Sequence, residues 1–215
     1  MNEISHIGAS DAGTFYDRIA RLYDLTFKVN GYRRSIERFL LANPLPLPHN
    51  ARILDAGCGT GLLTLSLLRV LHRPARIAAV DLSASSLNAA RRAVAQQRAF
   101  RRHTVEFFQA NILSLPFAHG SFDLIVTSGA LEYVPLDDGL RELARVLAPG
   151  GYLVHLPVRP SPASKLLELI FRFRAHPFDE IIAATNRHFR ILLNHRFAPF
   201  EPIGWTKIAI LAQKS

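Results

Sequence analysis

The chain has 215 residues, 49% of them hydrophobic and 20% charged, a balance that excludes a disordered or collagen-like protein and fits one α/β domain. No run of about 20 apolar residues occurs, so no membrane-spanning helix is expected. The net charge of +9 suggests an anionic partner (nucleic acid, a membrane surface or an acidic small molecule), although an arginine-rich composition alone gives the same sum.

The opening segment MNEISHIGASDAGTFYD lacks the apolar stretch of a signal peptide. Cys58 is the lone cysteine, which excludes an internal disulfide framework and a cysteine-based metal cluster. Together these features predict a cytoplasmic protein. From Thr14 to about Phe27, Phe15, Ile19, Leu22 and Tyr23 recur at helical spacing, and GYRRSIERFLLA predicts a second helix ending before Pro44. The three prolines of PLPLPHN break the pattern and separate an N-terminal helical cap, 1–48, from the core.

From Ala51 onward strands and helices alternate. ARILDAG reads as a buried strand, LLTLSLLRVL as a helix stopped by Pro74, and ARIAAVDL as a second strand. SASSLNAARRAVAQQRAF is a helix with Ser83 as its N-cap. TVEFFQA and FDLIVTSG are further strands; DDGLRELARVLAPGG is a helix with acids near its start and a glycine pair near its end; YLVHLP is a fifth strand. Strands this uniformly apolar, alternating with helices, form a parallel sheet covered on both faces, whose ligands bind beyond the carboxyl ends of the strands. After Pro160, SKLLELIFRFRAHP predicts a helix with Leu166, Leu169, Ile170 and Phe173 on one face, and FDEIIAATNRHF another. RILLNHRF and WTKIAILAQK predict an antiparallel edge pair joined by a turn at Pro202 and Gly204.

The most informative stretch is ILDAGCGTG, Ile53 to Gly61: a strand, an acid at its end, three glycines, then a helix. Glycines permit positive φ and expose bare backbone to a ligand at a helix N-terminus. A second acid, Asp81, ends the next strand, where a carboxylate accepts hydrogen bonds from ribose hydroxyls. A dinucleotide fingerprint would need its third glycine where this chain has Leu62, so the spacing disfavours NAD.

Four blocks, ILDAGCGTG, AAVDLS, NILSLPFAHGSFDLIVTSGALEYVP and LARVLAPGGYLV, make residues 51 to about 157 resemble the class I S-adenosylmethionine (SAM)-dependent methyltransferases. The similarity is strongest to the subgroup of ubiquinone and menaquinone biosynthesis methyltransferases. The resemblance implies a Rossmann-like, seven-stranded, mostly parallel sheet with an antiparallel edge strand, helices on both faces and the N-terminal cap. It divides a single domain, 1–215, into the cap, a SAM-binding core over 49–157 and an acceptor side over 158–215. It also implies that Gly57, Gly59 and Gly61 line the methionine part of SAM, with Asp55 orienting their loop. Asp81 would hold the ribose, Leu82 and Ile112 would pack on adenine, and Asn111 would accept from the adenine amino group. Most relatives have aspartate there; neutral Asn accepts more weakly. Backbone near Ser128 and Gly129 would meet the methionine amino group. Tyr16 and Tyr23, in FYDRIARLYD, would either close over SAM or pack as ordinary helix residues.

Methyl transfer from a sulfonium is an in-line displacement that needs alignment and, for some acceptors, a base. The nine histidines show no metal-ligand spacing. Glu132, after the fourth strand, and His155, late in the fifth, are the acid/base candidates; Tyr133 reads as packing, and a lone histidine in an apolar strand also reads as a core residue. Neither an N-P-P-aromatic motif nor a Pro-Cys nucleophile occurs, which disfavours nucleobase amino or pyrimidine C5 acceptors. The apolar segment Ser164–His176, with Lys165, Arg172 and Arg174, fits a lipophilic pocket, an anionic membrane surface or a plain sheet-covering helix. The expected acceptor is a small, hydrophobic or lipid-like molecule methylated on O, C or N. An RNA or protein acceptor, or a non-catalytic SAM-binding partner subunit, are the alternatives.

Overall fold

The computed structural model describes residues 31–97 and 102–215; Tyr16 and Tyr23 lie outside them. Seven strands form one sheet: β1 (Ala51–Ala56), β2 (Ala75–Asp81), β3 (Thr104–Gln109), β4 (Phe122–Ser128), β5 (Leu147–Leu156), β6 (Arg190–Arg196) and β7 (Ile208–Gln213). Their order is β3-β2-β1-β4-β5-β7-β6. The first five pair in parallel, and β7 runs antiparallel to both β5 and β6, so the last two strands close one edge as an antiparallel pair. The expected seven-stranded, mostly parallel sheet is therefore present, with its antiparallel strand one place in from β6.

The helices are α1 (Tyr32–Ala42), α2 (Leu62–Val70), α3 (Ala84–Ala95), α4 (Leu136–Val146), α5 (Pro162–Phe171) and α6 (Phe178–His188). Period-two side-chain alternation divides the core between the two faces of the sheet. Ile53, Leu124, Val126 and Val154 pack with Tyr32, Ile36 and Phe39 of α1 and Leu67 and Leu68 of α2. Their neighbours Leu54, Ile125 and Leu153 pack on the other face with Leu140 and Leu143 of α4 and Ile181 of α6. Ser83 caps α3 as its position predicts, accepting from the Ser86 amide at 3.2 Å.

Three boundaries differ from the sequence expectation. The helix α4 stops at Val146 and β5 begins at Leu147, so Gly150 and Gly151 lie within a bulged strand start; Pro149 disfavours helical backbone at the residue before it. The helix α5 begins earlier, at Pro162, behind a capping box of Ser161 and Ser164, and ends where Arg172 turns left-handed at φ 51°. Phe173 therefore leaves the helical face assigned to it. That face is also turned outward: Leu166 and Leu169 are 61% and 79% exposed, while Ser164 and Phe171 are buried. The segment is not a helix that seals the sheet with its leucines.

Candidate active site

The chain moves from β1 to β2 and β3 on one side, then returns to β4 and β5 on the other, which opens a crevice above the carboxyl ends of β1 and β4. The four loops that border it carry the donor-site residues expected from the sequence. Gly57, Gly59 and Gly61 all adopt positive φ, at 73°, 53° and 93°. The loop is tied to β2 by the Gly57 and Cys58 amides, which both donate to the Val80 carbonyl at 2.9 and 2.8 Å. At Gly57 the close approach is to the loop after β4: a Cβ there would lie 2.2 Å from the Ala130 Cβ. At Gly59 the space is open, with no atom within 4 Å of where a Cβ would stand. Bare backbone facing open space at the start of α2 is what a ligand needs to lie against the chain.

Two carboxylates flank this loop. Near the end of β1, Asp55 is fully buried; its Oδ2 accepts from the Thr64 hydroxyl at 2.5 Å and its Oδ1 has no partner among the described residues. Burial, opposed by the Thr64 bonds and reinforced by nearby Asp81, pushes its pKa up to about 7. Asp81 ends β2 and bridges two loops: Oδ2 accepts from the Gly59 amide at 2.7 Å and Oδ1 from the Ser83 amide at 2.9 Å. Burial raises its pKa, and the backbone donors oppose that shift. Next to it Leu82 is 67% exposed, an apolar side chain left on the crevice edge. Beyond β3, Ile112 is buried and Asn111 is exposed, its Oδ1 accepting from the Leu113 amide at 2.9 Å. Ser128 ends β4 and pairs in register with Leu156. Gly129 follows at φ 70°.

The acid/base candidates form a second group toward β5. Glu132 sits in a short 3-10 turn, Leu131–Tyr133, and is buried. Its Oε1 accepts from the Val158 amide at 2.5 Å; its Oε2 has no partner among the described residues. His155 is 1% exposed, and neither ring nitrogen has a partner among the described residues. Burial, then the charges of Lys207 and His176, lowers its pKa to about 3, so its ring is neutral at physiological pH. Tyr133 packs as expected, its hydroxyl donating to the Phe171 carbonyl at 3.3 Å. Sequence reasoning missed Lys207, which precedes β7 and is 3% exposed. Its Nζ donates to the Leu156 carbonyl at 3.2 Å, and burial lowers its pKa despite the opposing charge of Glu132. The only signal was a lysine beside the apolar run of the last strand.

This sheet order, with a glycine loop and two strand-end acids at the crevice, defines a doubly wound α/β fold with a nucleotide-type site at its switch point. A family model described as a methyltransferase domain matches residues 53–151. The 2-phytyl-1,4-naphtoquinone methyltransferase of Thermosynechococcus vestitus is 30% identical, over 85% of this chain and 78% of that protein. The demethylmenaquinone methyltransferase of Lactiplantibacillus plantarum is 31% identical, over 81% and 76%. Among solved structures, geranyl diphosphate C-methyltransferase from Streptomyces coelicolor A3(2) shares the fold with a TM-score of 0.68 at 19% identity, covering 85% of this chain and 76% of that one. The chain belongs to the class I SAM-dependent methyltransferases, in the subgroup of the ubiquinone and menaquinone biosynthesis enzymes. It is a SAM-dependent methyltransferase.

Bound SAM supplies a methyl group already activated on a sulfonium, and the residues present fit it. Gly59 leaves room beside the backbone, Asp81 offers carboxylate oxygens to vicinal hydroxyls, and Leu82 and Ile112 offer apolar surface to a flat base.

Proposed function

We propose that this enzyme, acting as a single domain, methylates a small, lipophilic acceptor on O, C or N. In this reading Gly57, Gly59 and Gly61 lie along the methionine part of the donor, and Asp55 holds their loop through Thr64. Asp81 exchanges its backbone donors for ribose hydroxyls. Leu82 and Ile112 sandwich adenine, whose amino group donates to the free lone pair of the Asn111 carbonyl. Backbone at Ser128 meets the methionine amino group.

The observation that carries the acceptor class is the outward apolar face of α5. Leu166 and Leu169 are exposed on α5, whose start is joined to the 3-10 turn Pro202–Trp205 by a 2.7 Å bond from the Ser161 hydroxyl to the Trp205 carbonyl. Trp205 and Phe200 are themselves 56% and 82% exposed. Lys165 on the helix and Arg174 after it add positive charge to this greasy surface. Such a surface lies at the headgroup boundary of an anionic bilayer, where lipophilic acceptors reside. No helix among the described residues is long and apolar enough to cross a membrane. In this reading the protein works from the cytoplasm and touches the bilayer peripherally. The two quinone-named relatives support the same acceptor class.

Alignment of donor and acceptor supplies most of the catalysis. Of the two acid/base candidates, Glu132 is suited to take a proton from the acceptor, because Oε2 is uncommitted. His155, with a pKa near 3, binds as a neutral ring. The test incubates the enzyme with SAM and an organic extract of host membranes and follows products by mass spectrometry. A species one methylene heavier, formed only with enzyme, is expected; a product set unchanged by the enzyme would contradict the reading.

A further inference from the structure

Thr127 and His155 stand side by side near the carboxyl ends of β4 and β5; just beyond them Glu132 accepts from the Val158 amide, and Lys207, the bridge partner of Val158, donates to the Leu156 carbonyl. Thr127 and His155 are register partners on adjacent parallel strands, so they share the sheet face that carries Ile125 and Leu153. Thr127 is fully buried, and its hydroxyl has no partner among the described residues. Both nitrogens of His155 and the Oε2 of Glu132 are likewise unpartnered, and all three residues are more than nine-tenths buried. Lys207 feels the charge of Glu132, yet Oε2 of Glu132 accepts no hydrogen bond from it; among the described residues the lysine donates to the Leu156 carbonyl. His176 approaches from the segment after α5, near enough for its charge to act on His155. Its Nδ1 is engaged with Glu180 at 3.2 Å, which leaves Nε2 buried and unpartnered.

Each buried polar group left without a partner costs about 1–3 kcal/mol. A chain that keeps several of them side by side holds them for something that binds. The remaining capacity is mixed. Lys207 has unused N–H donors, Thr127 has an O–H, and neutral His155 has one donor and one acceptor; Glu132 Oε2 accepts. A carboxylate or phosphate only accepts and would leave Glu132 opposed by like charge. A hydroxyl both donates and accepts.

We propose that Glu132, His155 and Lys207 form a binding site for a hydroxyl group on the head of the acceptor. The hydroxyl donates to Glu132 Oε2, and its oxygen accepts from the Lys207 ammonium. Thr127, His155 and His176 fix the ring or chain that bears it. The site rests on the acceptor reading above and deepens it: a lipophilic alcohol, phenol or enol is preferred to the same skeleton without a free hydroxyl.

Calorimetric titration with 4-butylphenol and 4-butylanisole, in the presence of saturating S-adenosylhomocysteine, separates this site from the methyltransferase reading. The wild-type protein should bind the phenol about tenfold more tightly than the ether. Glu132→Gln and Lys207→Met should each shrink that ratio toward one while S-adenosylhomocysteine affinity stays within about twofold, which also shows that the variants fold. Equal affinity for phenol and ether in the wild type, or an unchanged ratio in both variants, overturns the hydroxyl site whether or not methyl transfer is found. A hydroxyl preference lost in the variants upholds the site even if methyl transfer from SAM fails.

Discussion

The carboxylate of Asp81 accepts a hydrogen bond from the backbone amide of Gly59 at 2.7 Å, joining the end of the second strand to the glycine loop that follows the first. The acid thus stands at the loop that a donor would occupy, with its second oxygen on Ser83 at 2.9 Å. Substitution Asp81→Ala removes a carboxylate whose hydrogen bonds to a ribose would each contribute about 1.5–3 kcal/mol. SAM affinity measured by calorimetry should fall at least about 100-fold. Retention of wild-type affinity would remove the ribose assignment.

Two glycines of the same loop should respond differently to alanine. Gly57→Ala forces a Cβ to within 2.2 Å of the Ala130 Cβ at a positive φ, so denaturant titration should show a stability loss of about 2–4 kcal/mol. Adding Ala130→Gly should recover part of it. Gly59→Ala meets no protein atom and should cost only about 1–2 kcal/mol, while weakening SAM binding at least about tenfold by filling the open space. A Gly59→Ala protein with normal SAM affinity would mean that the donor lies elsewhere.

Asp55 gives a signed pH effect. Its folded pKa, about 7, lies above the ordinary carboxyl value of about 3.9, so the folded state favours the protonated acid. The corresponding stability is fully present below about pH 4 and is lost as pH rises through about 7. Asp55→Asn can still accept from Thr64 and cannot ionise. Between pH 5 and 8, without ligand, the variant should gain on the wild type by up to about 2–3 kcal/mol in urea titrations. Parallel pH profiles would show that Asp55 does not titrate in this range.

The exposed face of α5 predicts vesicle binding. The protein should sediment with vesicles containing phosphatidylglycerol and far less with pure phosphatidylcholine. Replacing Leu166 and Leu169 together by serine should reduce partitioning about tenfold or more and leave SAM affinity unchanged. Binding that ignores both the lipid charge and the leucines would argue against the membrane surface.

The donor half of the site was legible because its chemistry is local. A strand, an acid and three glycines within Ile53–Gly61 dictate a positive-φ loop at a helix start, and Asp81 lies one β-α-β step away. The polar group around β5 was legible only in part: Glu132 and His155 stood out at strand ends, and Lys207 did not. Thr127, His155 and Lys207 come together through strand pairing between β4, β5 and β7, and nothing in the spacing of a lysine near the C-terminus discloses that β7 inserts between β5 and β6. Periodicity found the apolar face of α5 but not its direction, since the same pattern serves a sheet-facing and an outward helix. The Gly150–Gly151 pair looked like a helix end because glycine also serves strand bulges.

The most direct test gives the purified enzyme methyl-labelled SAM and a fractionated extract of its host, and measures which fraction gains label. Methyl transfer to a lipophilic acceptor predicts enzyme-dependent label in the organic-soluble fraction, abolished by Asp81→Ala. Label confined to RNA or protein, or none in any fraction while SAM is bound, would contradict it.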